Sequence, residues 1–464
     1  MSIINAIMVP HPPIILPEIG RGEERKIQDT ADAYRAAAEF LRAGEPETVV
    51  VISPHAQMYS DWFHISPGGG ARGDFSRFGA PGVRFETDYD TELVSGICRL
   101  AEKEDFPAGT LGERDPSLDH AVMVPLYFLR QAYGNNKLPP IVRIGLSGLS
   151  LEQHYRLGML ISAAAERLGR RVGVIASGDL SHKLKYDGPY GFSADGPEYD
   201  RRIMDVMGRG AFNELFDFGD GFCESAGECG HRSFTMMAGM FDGLDVKAEK
   251  LSYQGPFGVG HGVCLFTSGP ANPARAFYAA RTAENETAMA ARRAGEDEFV
   301  RLARRSVETF VKTGRPASMP EGLSPELTQN RAGVFVSLHI AGRLRGCIGT
   351  ISPVTSSIAS EILENGISAC SRDPRFAPVT EKELPLLEYS VDVLGAAEDI
   401  DSPAQLDPVR YGVIVSNGMR RGLLLPDLEG VDTAEEQISI ARRKAGIGAR
   451  EDVKLQRFEV VRHV

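Results

Sequence analysis

Four short, continuous apolar runs set the terms for the first half of this chain: IINAIMV (3–9), TVVVIS (48–53), IVRIGL (141–146) and VGVIAS (172–177), each rich in β-branched residues and bounded by turn formers. Between them lie stretches with helical periodicity, among them 23–43, 90–104 and 151–168. A strand that is apolar at nearly every position must be covered on both faces, and intervening helices supply that cover. The pattern predicts an α/β fold, a mostly parallel or mixed sheet flanked by helices. At 464 residues the chain is longer than one hydrophobic core usually serves. The last apolar run of this half, GVCLF (262–266), is followed by SGPANPAR (268–275), whose composition reads as a linker. A first domain is therefore expected at 1–270 and a second at 276–464. The second opens with a charged, Ala-rich helical lead-in (276–314). It continues with strands at 334–340, 389–395, 411–416 and 422–426 around helices at about 356–370 and 433–446, a smaller α+β arrangement. Gly68, Gly69 and Gly70, inside 66–74, read as a mobile loop.

The formal charge of -12 argues against a nucleic-acid partner, because neutralising phosphates requires a basic face. The first residues carry no cationic segment and are interrupted by Pro10, Pro12 and Pro13, so neither a leader nor a membrane span is expected there. Six cysteines (Cys98, Cys223, Cys229, Cys264, Cys347, Cys370) are scattered with no CxxC pair, which fits reduced thiols and a cytoplasmic setting.

Three histidines stand just beyond predicted strands: His11 in VPHPPI, His55 in ISPHA and His182 in ASGDLSHKL. In open α/β sheets ligands gather at the carboxyl ends of strands, so these imidazoles can converge on one crevice. A single histidine in such a place is commonly a hydrogen-bonded structural residue; three in equivalent places point to a metal. An acidic or thiolate ligand should complete the site, and the strongest region is SAGECGHRSF (225–234), where Glu228, Cys229 and His231 crowd before an apolar helix. Two imidazoles and one carboxylate on one face form the triad that leaves positions open on iron(II).

The order HPP, SPH, DHA (119–121), SGDLSH (177–182) and a late Glu resembles the class III extradiol dioxygenase beta-subunit (LigB-type) pattern. ECGHRSF and SYQGPFGVGHG are closer still to Memo-like proteins, and the resemblance spans residues 3 to about 268. It implies His11, His55 and Glu228 as ligands of Fe(2+), His182 as the acid–base catalyst and His120 as a catalytic, substrate-lining residue. Memo-like proteins place a cysteine where the dioxygenases place the carboxylate, so Cys229 stands as the alternative third ligand. The hardness of iron(II) and the presence of dioxygen favour Glu228. The implied reaction joins a catecholic substrate to dioxygen, with an imidazole of pKa near ~6.5 taking and returning the phenolic proton. Asp179 could orient an imidazole or cap a helix. Tyr253 and Phe257 could stack on a substrate ring or belong to the core, and His261 is a further candidate near the site. His64 and His154 read as structural.

In the second half, LRGCIGT (344–350), SRDPRFAPV (371–379), RRGLLLPD (420–427) and EEQISIARRKAGI (435–447) resemble an AMMECR-type domain. A Memo-like domain fused to an AMMECR-type one resembles the A component of the AmmeMemoRadiSam system, which implies a radical-SAM protein partner. Cys347, between Gly346 and Gly349, could present a thiol or pack as a small apolar residue, and Arg345, Arg372 and Arg375 could bind an anion or form ion pairs. Two functions follow. One is extradiol cleavage of a catecholic or related phenolic substrate by a non-haem iron(II) dioxygenase. The other is a Memo-like adaptor holding iron or copper without ring cleavage. A carboxylate ligand favours the first and Cys229 the second. The oligomeric state is open, a homo-oligomer among the options.

Overall fold

The four apolar runs form strands where the sequence puts them: β1 (Ile3–Val9), β2 (Thr48–Ser53), β3 (Ile141–Gly145) and β4 (Val172–Ser177), buried at nearly every position. They pair in parallel in the order β3-β2-β4-β1. Two strands, β5 (Leu244–Gln254) and β6 (His261–Ala271), continue the sheet antiparallel beyond β1, giving a six-stranded mixed sheet of order β3-β2-β4-β1-β6-β5. The computed structural model describes residues 2–428 and 430–464. It divides into two compact units, Met1–Ala283 and Glu284–Val464, with the divide inside a helix that runs Phe277–Gly295 rather than in the linker at 268–275. No described helix is long and apolar enough to cross a membrane.

Helices cover both faces of the large sheet because its side chains alternate between two cores. Ala6, Met8, Val50, Ile52 and Val174 face α2 (Thr91–Lys103), α4 (Leu151–Leu168), α5 (Asp195–Arg209) and α6 (His231–Gly239). Ile7, Val9, Val49, Val51 and Ile175 face α1 (Gln28–Ala43) and α3 (His120–Tyr133). Helix α4 begins on a capping box of Ser150 and Gln153, which satisfies donors at both ends of that turn. Two features depart from expectation. The glycines at 68–70 lead into an antiparallel hairpin, Gly70–Phe75 with Ala80–Asp88, instead of a loop. Strand β5 carried no apolar run because it is the sheet edge, half-exposed and charged (LDVKAEKLSYQ).

The second unit has two four-stranded sheets. One joins β7 (Val334–Ile340), β8 (Arg343–Gly349), β9 (Leu387–Leu394) and β14 (Val460–His463) in the order β8-β7-β9-β14. It packs on a helix at Glu298–Thr313 and another at Ile358–Ser371. The other joins β10 (Glu398–Ile400), β11 (Gly412–Asn417), β12 (Arg420–Leu424) and β13 (Lys454–Phe458) in the order β10-β13-β11-β12. A helix at Ala434–Ala445 covers it.

Helices α4 and α6 touch backbone to backbone. A Cβ on Gly158 would stand 2.0 Å from the Met236 carbonyl oxygen, and one on Gly239 would stand 1.9 Å from that of Tyr155. This contact fixes the helix that follows the Glu228-Cys229 segment. Gly239→Val should destabilise the first unit by about 1–3 kcal/mol, since overpacking of a tight contact costs that much. Urea denaturation checks it, and an unchanged midpoint would show that the helices can part without penalty.

Candidate metal centre

His11 and His55 each stand two residues past the end of a parallel strand, β1 and β2, at the carboxyl edge of the sheet. His120 opens α3, where Asp119 caps the helix by accepting the N–H groups of Ala121 and Val122. The Asp119 carboxylate also accepts the Ser53 hydroxyl at 2.7 Å, which ties the end of β2 to the start of α3. Arg143 pairs with the same carboxylate at 3.4 Å.

These anchors bring one ligand atom from each of His11, His55 and His120 to within 4.8 Å of one another. His11 Nε2 lies 3.0 Å from His55 Nε2, and the rings of His55 and His120 stack with centroids 4.4 Å apart. His11 Nδ1 meets Ser177 Oγ at 3.0 Å, and with that nitrogen donating, Nε2 keeps its lone pair for the cluster. The backbone N–H of His11 donates to Asp179 Oδ1 at 2.8 Å, and Asp179 Oδ2 is 3.7 Å from His11 Nε2. Asp179 therefore fixes the backbone at His11, while Ser177 sets the ring.

Cys229 Sγ lies 3.6 Å from His11 Nε2 and accepts the Asp179 N–H at 3.3 Å. Glu228, the carboxylate expected to face inward, turns the other way. It accepts the backbone N–H of His231 at 2.6 Å and the Tyr199 hydroxyl at 3.5 Å. Adjacent residues cannot both point into the centre, and the orphan N–H at the start of α6 takes the carboxylate. The signal for this was Glu228's place three residues before His231, at the start of a helix, and the sequence reading weighed Glu228 only as a ligand.

His182 reaches the rim of the site, with Nε2 buried and without a hydrogen-bond partner among the described residues and Tyr190 beside it at 5.1 Å between ring centroids. His261, at the start of β6, is buried, and neither ring nitrogen has a hydrogen-bond partner among the described residues. Burial lowers the pKa of His11 to about 3 and lowers those of His120, His182 and His261, so these rings are neutral near pH 7 and hold lone pairs for a cation or a proton. Burial, with Asp179 and Glu228 adding to it, pushes the Cys229 thiol well up, so binding a metal there would release a proton. A cavity of about 1100 Å³ opens beside His55 and His120, lined also by Phe78, Met123 and Arg143. Tyr253 and Phe257 do not line it. Tyr253 donates its hydroxyl to Asp200 at 2.7 Å, and Phe257 packs against the core on the α1 and α3 side. His64 and His154 are structural: their Nδ1 atoms meet the carbonyls of Leu111 and Ser150.

In the second unit, Arg345 binds Glu383 at 2.6 Å and Arg375 binds Asp373 at 2.7 Å, so both form ion pairs. Arg372 ends the helix at Ile358–Ser371. Cys347 lies within β8, and Gly346 is required because a Cβ there would stand 2.3 Å from the Ala369 carbonyl oxygen.

The mixed sheet with histidines converging at its carboxyl edge defines a ring-opening-dioxygenase type of α/β protein, a class that depends on a metal. The chain belongs to the family of the catalytic LigB subunit of aromatic ring-opening dioxygenase, matched over residues 5–264, and carries an AMMECR1 domain over residues 300–463. A protein of Clostridium acetobutylicum is 40% identical over 471 aligned residues, covering 100% of this chain and 99% of its own length. One of Thermotoga maritima is 48% identical over 171 residues, covering 36% of this chain and 98% of its own.

Two outcomes are expected from this geometry. Ser177→Ala frees His11 Nδ1 and should weaken cobalt(II) binding about 10–100-fold by titration, the usual cost of removing a partner that orients a ligand. Unchanged affinity would show that Ser177 does not set the ring. Burial, opposed by the His231 N–H, raises the Glu228 pKa from 4.5 to about 7. Its contribution to stability is thus complete below pH 4.5 and is lost as pH rises through 7. The urea midpoint of Glu228→Gln should fall less than that of the native chain between weakly acid and weakly alkaline pH; an equal fall would place the titration elsewhere.

Proposed function

We propose that the first unit holds a redox-active metal ion, iron or copper, between His11, His55 and Cys229, and acts as a Memo-like metal centre that works with a radical-SAM partner. The observation that carries this reading is the position of Cys229 Sγ, 3.6 Å from His11 Nε2, while the Glu228 carboxylate is committed to the His231 N–H. The donor set fits such an ion: neutral imidazoles with converging lone pairs suit iron and copper, and a thiolate softens the site toward them. When bound, the ion supplies Lewis acidity and one-electron chemistry. The chain's part is to fix His11 through Ser177 and Asp179, to hold Cys229 against the Asp179 N–H, and to keep His120 stacked on His55.

A second reading, extradiol cleavage of a catechol with dioxygen, is supported by His182, whose Nε2 has no hydrogen-bond partner among the described residues and would serve as the base for a phenolic proton. The cavity beside His55 and His120 would admit the ring.

Purification without oxygen, followed by iron analysis, tests the ligand set. His11→Ala and Cys229→Ser should lose the metal and Glu228→Gln should keep it; loss in Glu228→Gln alone would return the carboxylate to the centre. Oxygen uptake with catechol then separates the two readings. The metal-centre reading expects none. Uptake that falls about 10²–10⁴-fold in His182→Ala, with iron retained, would establish ring cleavage in its place.

A further inference from the structure

The proposed metal takes no ligand from SYQGPFGVGHG (252–262), yet this segment lies along the one that carries His182. The Leu180 N–H donates to the Gly260 carbonyl at 2.9 Å, the Gly260 N–H to the Ser181 carbonyl at 2.8 Å and the Leu184 N–H to the Gly258 carbonyl at 3.1 Å. Residues 180–184 therefore form a strap on the turn between β5 and β6, with His182 at its middle. The Ser181 hydroxyl donates to the Ala226 carbonyl at 2.8 Å and accepts the Lys183 N–H at 3.0 Å, which ties the strap to the segment leading to Cys229.

A buried carboxylate fastens this strap. Asp200, on α5, is 1% exposed, and no cation pairs with it among the described residues. Its Oδ1 accepts the Ser181 N–H, next to His182, at 2.8 Å, and its Oδ2 accepts the Tyr253 hydroxyl from β5 at 2.7 Å. Gly260 makes room for it, since a Cβ there would stand 2.0 Å from Asp200 Oδ2. Burying a carboxylate without a cation is unfavourable, and burial raises the pKa of Asp200 to about 7. An apolar side chain would fill the same space without that penalty but would leave the Ser181 N–H unsatisfied. What the carboxylate secures is the backbone beside His182, whose Nε2 is buried with no hydrogen-bond partner among the described residues.

We propose that Asp200 and Tyr253 are positioning residues for His182: the Tyr253 hydroxyl holds the carboxylate, the carboxylate holds the Ser181 N–H, and the His182 imidazole is thereby set at the rim of the metal centre. Both act through the strap and not on a ligand. The inference rests on the metal-centre reading, since His182 has a place to be set only if an ion lies between His11, His55 and Cys229.

NMR of the histidine rings in the cobalt(II)-loaded full chain tests this, because a paramagnetic ion shifts each signal according to its distance and direction. The His182 signal is identified by its loss in His182→Ala. Asp200→Ala should change the cobalt-induced shift of His182 while the signals of His64 and His154 stay in place, which shows the fold kept. Asp200→Asn, which retains an oxygen for the Ser181 N–H, should restore the native shift. Tyr253→Phe, a milder change should Asp200→Ala fail to fold, should move the His182 signal the same way by less. A His182 shift that is the same in Asp200→Ala and Tyr253→Phe as in the native chain, or that Asp200→Asn fails to restore, would overturn the proposal and leave the metal centre standing. No cobalt-induced shift on any histidine ring of the native chain would instead remove the metal-centre reading, and the proposal with it.

Discussion

The hydrogen bond from the His11 backbone to Asp179, 2.8 Å long, joins the segments that leave two neighbouring parallel strands, β1 and β4. Ser177, the last residue of β4, holds the same imidazole at Nδ1. Two contacts from one strand end thus fix both the backbone and the ring of a residue on the next, and the other donors are arranged about the Nε2 atom so defined. His55 meets it directly, and Cys229 reaches it because its thiol is held by the Asp179 N–H. A parallel sheet makes this economical, since adjacent strand ends emerge on the same side. Asp179 lies low in pKa although burial opposes its ionisation, because His11, His261 and the His11 N–H favour the charge. The carboxylate accepts the N–H that sets the His11 backbone.

Much of this was legible in the sequence because it depends on local pattern. Runs apolar at nearly every position marked β1 to β4, and the ends of β1 and β2 marked His11 and His55. Strand β5 was not legible, because an exposed edge strand carries no buried run to detect. The hairpin at 70–88 was hidden behind its glycines for a related reason, its outward positions being polar. At the site, chemical hardness marked Glu228 only as a ligand, whereas the fold sets its carboxylate on the His231 N–H at the start of α6, a role that its place three residues before His231 also signals. The role of Asp119 was written in its place before His120, as a helix cap, but its bond to Ser53 joins residues 66 apart and needed the fold.

The second unit shows the same division. The AMMECR-type motifs were visible as motifs, yet their meeting depends on tertiary packing: Asp373 and Arg375 close over the backbone of Cys347, and Gly346 lets the helix Ile358–Ser371 press against β8. Arg345 and Arg375, alike in sequence as free cations, differ in the folded chain. Arg345 is spent on Glu383 and the Ala377 carbonyl, while Arg375 is held beside the thiol.

The central claim is that a thiolate, and not the neighbouring carboxylate, completes the histidine centre. X-ray absorption of the iron(II)-loaded full chain reads this directly, because sulfur scatters differently from nitrogen and oxygen. The account predicts one sulfur in the first shell together with imidazole nitrogens, and loss of that sulfur in Cys229→Ser. A first shell of nitrogen and oxygen alone in the native chain would contradict it.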